Sequence, residues 1–213
     1  MANVKGRGVT VEIAATYGTA KTVTAVTKAS PGIATSTSHG LANDTVGYWS
    51  GVTGMSQLDG QATRVKNQST NAFDLQGLNT TNYATFTAGT FTPVSTWATL
   101  SEATSYDIGG GAAEKLDVTR LLDITKQEEQ GLLPVGTVSM NVLAQETPSA
   151  AMLLLENAVQ TQGAVVVRIT LASGAVRIFR GEPSLPGESV QQGQVGTGSL
   201  DFAIKGFVLK LAA

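Results

Sequence analysis

Apolar and polar side chains alternate along much of this chain with a period of two, the spacing of a strand that has one face in a core and the other in solvent. Val9, Val11 and Ile13 interleave with Thr10 and Glu12, and Val138, Met140 and Val142 interleave with Thr137, Ser139 and Asn141. Val165, Val167, Ile169 and Leu171 form the apolar side of a third strand. Ser173-Gly174 then turns the chain into a fourth, where Val176 and Ile178 are expected to continue that side. Near the end, Leu200, Phe202 and Ile204 hold even positions, whereas Phe207, Leu209 and Leu211 hold odd ones. Such a shift turns an apolar set outward unless the strand kinks, and Gly206 is placed to permit a bulge. One segment has the helical period: Thr147 can cap it, Pro148 suits its first turn, Met152, Leu155 and Val159 recur at three- and four-residue spacing, and Gly163 can close it.

Residues 26–93 have a different texture. They hold six charged side chains, Lys28, Arg64 and Lys66 against Asp44, Asp59 and Asp74, and no Glu, while Ser, Thr and Asn dominate. Short β-prone runs, Thr45 to Trp49, Ala62 to Val65 and Ala72 to Leu75, are separated by Gly51, Gly54, Asp59-Gly60 and Gly77. This predicts an all-β insert within a second β-rich domain made of residues 1–25 and 94–213. The fold class is therefore mainly β, a twisted sandwich or barrel with one packed helix and a small inserted β domain.

Composition narrows the chemistry. With 213 residues, 42% hydrophobic and 14% charged, the chain is long enough for a sizeable core. It has no Cys, which excludes disulfides and thiolate metal sites. No apolar run approaches the roughly 18 residues of a membrane span, and Glu12 interrupts what would be the apolar region of a leader after Lys5 and Arg7. The net charge of −2 divides as +2 over residues 1–25, zero over 26–93 and −4 over 94–213. That balance argues against broad affinity for nucleic acid.

Catalysis has few candidates. His39 is the single histidine and sits in Ser38-His39-Gly40 within the polar insert, without a positioned partner in view. Glu128-Glu129 are neighbours that point apart. Gly109-Gly110-Gly111 lacks the Gly-Lys-Ser/Thr ending of a phosphate loop, being followed by Ala112-Ala113-Glu114. No enzyme activity, cofactor or metal is expected.

The order of elements after residue 94, and above all the passage GGGAAEKLDVTRL…GLLPVGTVSMNV (109–121 and 131–142), resembles the tail tube, or major tail, proteins of long flexible-tailed bacteriophages. The stretch KASPGIATSTSHGLANDTVGYWSGVTGMSQLDGQATRV (28–65), continuing through STNAFDLQGLNTTNYATFTAG (69–89), resembles the small β modules that recur in phage structural proteins. Gln61 and Ala62 depart from that pattern, standing where an aromatic-bearing strand is usual.

The first resemblance implies a structural virion protein. It would be a homo-oligomeric ring, a hexamer by that likeness, stacked into a tube whose lumen conducts DNA without binding it specifically. It also implies assembly in the host cytoplasm and contact with tape measure, tail terminator and tail tip proteins. Strand alternation makes Glu12, Ser101, Ser105, Asp107, Thr137, Ser139, Asn141 and Asp201 candidates for the channel surface. Arg168 and Lys205 share that polar parity, and a salt bridge or strand end is expected for each.

The resemblance assigns ring stacking to the loop from Gly109 to Gly136, where Lys115, Asp117, Arg120, Asp123, Lys126, Glu128 and Glu129 could pair across rings. The insert is expected to face outward. The alternatives are a tail terminator or capsid decoration protein, which would stop at one ring, and a glycan-binding β-module, whose row of aromatics this chain lacks.

Overall fold

The computed structural model describes residues 7–110, 113–131, 136–184 and 187–213. In chain order the strands are β1 (Thr10–Tyr17), β2 (Lys21–Val23), β3 (Ala25–Val26), β4 (Ile33–Thr35), β5 (Val46–Thr53), β6 (Ala62–Lys66), β7 (Ala72–Leu75), β8 (Ala88–Thr99), β9 (Ala103–Gly109), β10 (Lys115–Asp117), β11 (Glu128–Gln130) and β12 (Thr137–Leu143). Helix α1 (Ala150–Gln160) follows, and then β13 (Val165–Thr170), β14 (Val176–Pro183), β15 (Gly187–Ser189) and β16 (Thr197–Leu211). The fold is mainly β, with one large curled sheet and one α-helix among the described residues.

The sheet runs in the order β3-β4-β7-β6-β5-β8-β1-β13-β14-β16-β12-β9, with β2 added to β8 and β15 to β16; β10 and β11 form a separate two-stranded sheet. Part of it curls round the first of three apolar clusters. Val11 and Ile13 of β1, Val167 and Ile169 of β13, Phe179 of β14, Leu200, Phe202 and Ile204 of β16 and Val138, Met140 and Val142 of β12 meet Met152 and Leu155 of α1 there. The helix packs on β1, β8 and β14. It starts later than the spacing suggests, because Ser149 and not Thr147 is the cap: its hydroxyl accepts from the Met152 N–H. At the other end the Gly163 N–H returns to the Ala158 carbonyl at 2.8 Å.

The hairpin of β13 and β14 corrects one expectation. Thr170 pairs with Val176 and Arg168 with Ile178, so Val176 and Ile178 lie on the face opposite Val165, Val167 and Ile169. They remain buried because a second apolar cluster covers that face. Val176 and Ile178, with Ala14, Val166, Leu209 and Leu211, pack against Val46, Ala62 and Val94. The shift near Gly206 has the same origin. Two extra residues of β16 bulge against β14 between Leu209 and Lys205, leaving the parity unchanged. Leu209 and Leu211 are buried in the second cluster, while Val208 stays against the first. Gly206 makes the bulge at φ +84°, with the Gln61 amide oxygen where a Cβ would stand.

The runs at 45–49, 62–65 and 72–75 form β5, β6 and β7. Their sheet has its own aromatic core, in which Trp49, Phe73 and Phe91 are fully buried. Strand β8 continues through residue 93 without a break: Phe91 pairs with β2 and Trp49, and Val94 pairs with Tyr17 of β1.

Candidate functional surfaces

Strands β9, β12 and the first half of β16 lie side by side, and their register aligns polar residues in rows. Ser139 stands between Asp107 and Asp201, and Asn141 stands between Ser105 and Ser199. Thr137 faces Gly109 and Ala203. All of these alternate with core residues, so Ser105, Asp107, Thr137, Ser139, Asn141 and Asp201 share one exposed sheet face. The face is ordered by its own hydrogen bonds: the Asn141 amide donates to the Ser105 hydroxyl at 2.8 Å, and the Asp201 N–H donates to the Ser184 hydroxyl at 3.0 Å. The two carboxylate rows lie about 10 Å apart, two strand spacings. Among the described residues the sheet order ends at β9, one side of which has no partner strand there.

Glu12 and Ser101 stand elsewhere. Glu12 pairs with Thr99 and Arg168, and its carboxylate accepts from the Arg168 guanidinium at 2.8 Å. That guanidinium also lies over the Trp97 ring at 4.3 Å. Ser101 belongs to the turn between β8 and β9, and its hydroxyl donates to Glu102. Lys205 bridges to Glu182 at 2.8 Å, so both cations of the polar parity have carboxylate partners.

The polar rows and the second apolar cluster both lie on the side of the sheet opposite the first core. The polar rows lie on β9, β12 and the first half of β16, and the surface covered by residues 26–93 lies on β1, β13, β14 and the second half of β16. Gln61 and Ala62, the two departures from the module pattern, lie at this contact. Ala62 is in the second cluster, and Gln61, fully buried, bonds the Phe207 backbone.

Between β9 and β12, whose ends meet where Gly109 pairs with Thr137, the described residues 113–131 form a segment called here the arm. It contains a short ladder, Lys115 opposite Gln130 and Asp117 opposite Glu128, within what the sequence reads as a loop. Its charges largely satisfy one another: Glu128 accepts from Lys115 at 2.9 Å and Lys126 at 2.8 Å, and Lys126 lies 3.9 Å from Asp117. Hydrogen bonds from Thr119 hold the Asp117 carboxyl below the usual range, and Lys126 and Lys115 do the same for Glu128. Asp123 accepts from the Arg120 N–H, and Arg120 and Glu129 have no salt-bridge partner among the described residues. At the tip, Leu121, Leu122 and Ile124 are almost wholly exposed. Gly111, Leu132 and Leu133, part of the expected loop, lie outside the described residues.

At the opposite end of β12 is a feature that the sequence pattern did not single out. Glu102 is buried and accepts from the Ser149 N–H and hydroxyl, both at 2.9 Å, and from the Ser101 hydroxyl at 3.2 Å. Burial alone would raise its pKa. The hydrogen bonds outweigh that and hold the carboxyl below the usual range. Glu102 thus ties the β8–β9 turn to the start of α1. Beside it opens a cavity of about 160 Å³ walled by Val142, Pro148 and Met152. The only sequence signal was a Glu flanked by Ser101 and Ala103 just after an apolar strand.

His39 has a packing role. It is buried edge-on to Phe73 with ring centroids 5.1 Å apart, and its Nδ1 accepts from the Leu41 N–H at 3.0 Å. Among the described residues no three His, Asp or Glu side chains are grouped to hold a metal.

Comparison with curated proteins gives no match. The profile of the phage tail tube protein family, TTP, matches residues 53–209, from the end of β5 to the second half of β16, and so extends into the stretch that composition set apart. The chain belongs to the phage tail tube protein family and is a structural component of the virion tail.

Proposed function

We propose that this tail tube protein forms closed homo-oligomeric rings, hexameric by family likeness, that stack into a hollow tube through which DNA passes during ejection. The observation that carries this reading is the polar face of β9, β12 and β16 beside an unpaired strand edge. A free edge invites pairing with the next subunit. Ring closure through β9 would join these faces into one continuous wall. Asp107 and Asp201 would repel passing phosphates, and Ser105, Thr137, Ser139 and Asn141 would keep the bore smooth. Residues 26–93 are then an outward module, a placement supported by their seat on a part of the sheet apart from the polar rows.

Glu12, neutralised by Arg168, contributes little to an acidic bore, and Ser101 sits at its rim. The arm from Gly109 to Gly136 bridges successive rings. Tape measure, tail terminator and tail tip proteins are the proposed partners, and the host cytoplasm the site of assembly. Electron microscopy of the purified protein tests this: hollow filaments are expected, and isolated rings would point to a terminator.

A further inference from the structure

We infer that β16 is a two-register strand held in its bulged register by Gln61, so that the seating of residues 26–93 sets the position of the strand end beneath them. In the observed ladder Arg180 pairs with Lys205 and Ile178 with Leu209. Two steps along β14 are therefore matched by four along β16, and residues 206–208 carry the excess. A straight ladder continued from Arg180 and Lys205 would put Phe207 opposite Ile178 and Leu209 opposite Val176. A slip of two residues keeps every side chain on its own face, because the side-chain period of a strand is two. The sequence accepts that slip. Positions 207, 209 and 211 are all large and apolar, so Phe207 would take the place of Leu209, and Leu209 that of Leu211.

Two features favour the straight register. Phe207 is 41% exposed, whereas Leu209 and Leu211 are each 3% exposed, and straightening would bury the Phe207 ring in the place of Leu209. Gly206 stands at φ +84°, a conformation that a straight strand does not need. The bulged register, for its part, keeps Val208 against the first cluster and gives the Phe207 backbone a partner. That partner is the Gln61 side chain, whose amide meets both the N–H and the carbonyl of Phe207 as a neighbouring strand would. Gln61 is itself fixed from within residues 26–93: its carbonyl accepts from the Trp49 N–H at 3.0 Å, and its N–H donates to the Leu58 carbonyl at 3.1 Å. Arg180, the last residue of β14 paired before the bulge, has its guanidinium 4.3 Å from the centre of the Tyr48 ring of β5. Residues 26–93 thus hold the bulge on both strands.

Lifting residues 26–93 from the body withdraws Gln61 and lets β16 straighten. The strand end then moves by two residues, about 7 Å, along β14, and Leu211 leaves its place opposite Val176. The first half of the same strand carries Asp201 of the polar rows, so one strand joins the seat of residues 26–93 to the exposed face. The switch does not depend on the tube reading. Its test uses unassembled protein, so the two can fail separately.

The absence of Cys permits single-cysteine reporters in the whole chain. Phe207→Cys and Leu211→Cys are each labelled with a thiol reagent. With Gln61 present, position 207 should react fast and position 211 slowly, following their exposure. Gln61→Leu keeps the volume and removes both hydrogen bonds. It is expected to reverse the order, slowing position 207 about tenfold and speeding position 211 by a similar factor, as when roughly nine chains in ten take the straight register. Gly206→Ala, which penalises the bulge through its positive φ, should shift both positions the same way. Phe207→Cys weakens the drive to straighten and Leu211→Cys strengthens it, so agreement between them is not an artefact of either. Leu209→Cys should stay protected throughout, because position 209 is buried in both registers. Faster labelling at 207 and 211 together would mean a frayed strand end and would overturn the switch. An unchanged order in both Gln61→Leu and Gly206→Ala would overturn it as well.

Discussion

Gln61 grips the backbone of Phe207 from both sides: its amide nitrogen donates to the Phe207 carbonyl at 3.0 Å, and its amide oxygen accepts from the Phe207 N–H at 2.9 Å. Strand β16 bulges beside this residue, so its N–H and C=O lack ladder partners there, and an amide is the one short side chain that can satisfy both. Gln61→Ala is expected to cost about 1–3 kcal/mol, read as a fall in Tm of about 2–4 °C per kcal/mol. Gln61→Glu keeps the acceptor, loses the donor and buries a charge, and should cost more. Equal melts for wild type and both variants would show that the clamp contributes nothing.

Glu102 makes stability depend on pH. Its carboxyl is held below the ordinary range in the folded chain, so its contribution is complete above the unfolded carboxylate pKa of about 4.3 and is lost as pH falls through the folded value. Glu102→Gln should destabilise by about 1.5–3 kcal/mol at neutral pH, the worth of hydrogen bonds to a charged group. The gap between the two Tm curves should close as the solution is acidified below about pH 4. A gap that stays constant from pH 7 to pH 3 would assign the loss to shape and not to charge.

Removal of residues 27–92 would bare Val166, Ile178, Leu209 and Leu211, which that segment covers. Deletion alone is therefore expected to give aggregating protein. Deletion combined with Thr at those four positions should give soluble subunits that still assemble, because the polar face, the edge strand and the arm are untouched. Folded but non-assembling protein from the combined variant would place a ring contact within 27–92.

Asp107→Lys with Asp201→Lys reverses the charge of the rows flanking Ser139. Tubes should form with normal length, and DNA ejection should slow, more so at low salt where screening is weak. Ejection kinetics unchanged at every salt concentration would remove electrostatic repulsion from the mechanism.

Strict alternation in β12 and the first half of β16 makes the core face and its polar reverse legible, because one side of those strands is exposed. It failed for Val176 and Ile178, where both faces of β14 are covered and an apolar residue fits either side. Only the pairing of Thr170 with Val176 settles which.

Charge and the excess of Ser, Thr and Asn set residues 26–93 apart as an inserted β module. Strand β8 nonetheless passes through residue 93, since composition records solvent exposure and not backbone continuity. Gln61 stands in the sequence only as a departure from the aromatic-bearing strand of the module pattern; its partner lies 146 positions away, beyond any local pattern. Glu102 was overlooked for the same reason, its partner Ser149 being brought to it by the fold. The arm's charges suggested contacts between subunits, whereas i to i+2 and cross-strand spacing let them pair at home.

Electron cryomicroscopy of tubes assembled from the purified chain tests the central claim most directly. The expected density is a hollow tube with Asp107, Ser139 and Asp201 facing the bore, β9 paired with a neighbouring subunit, and residues 26–93 on the outside. A bore lined by residues 26–93, or protein that yields only single rings or monomers, would contradict it.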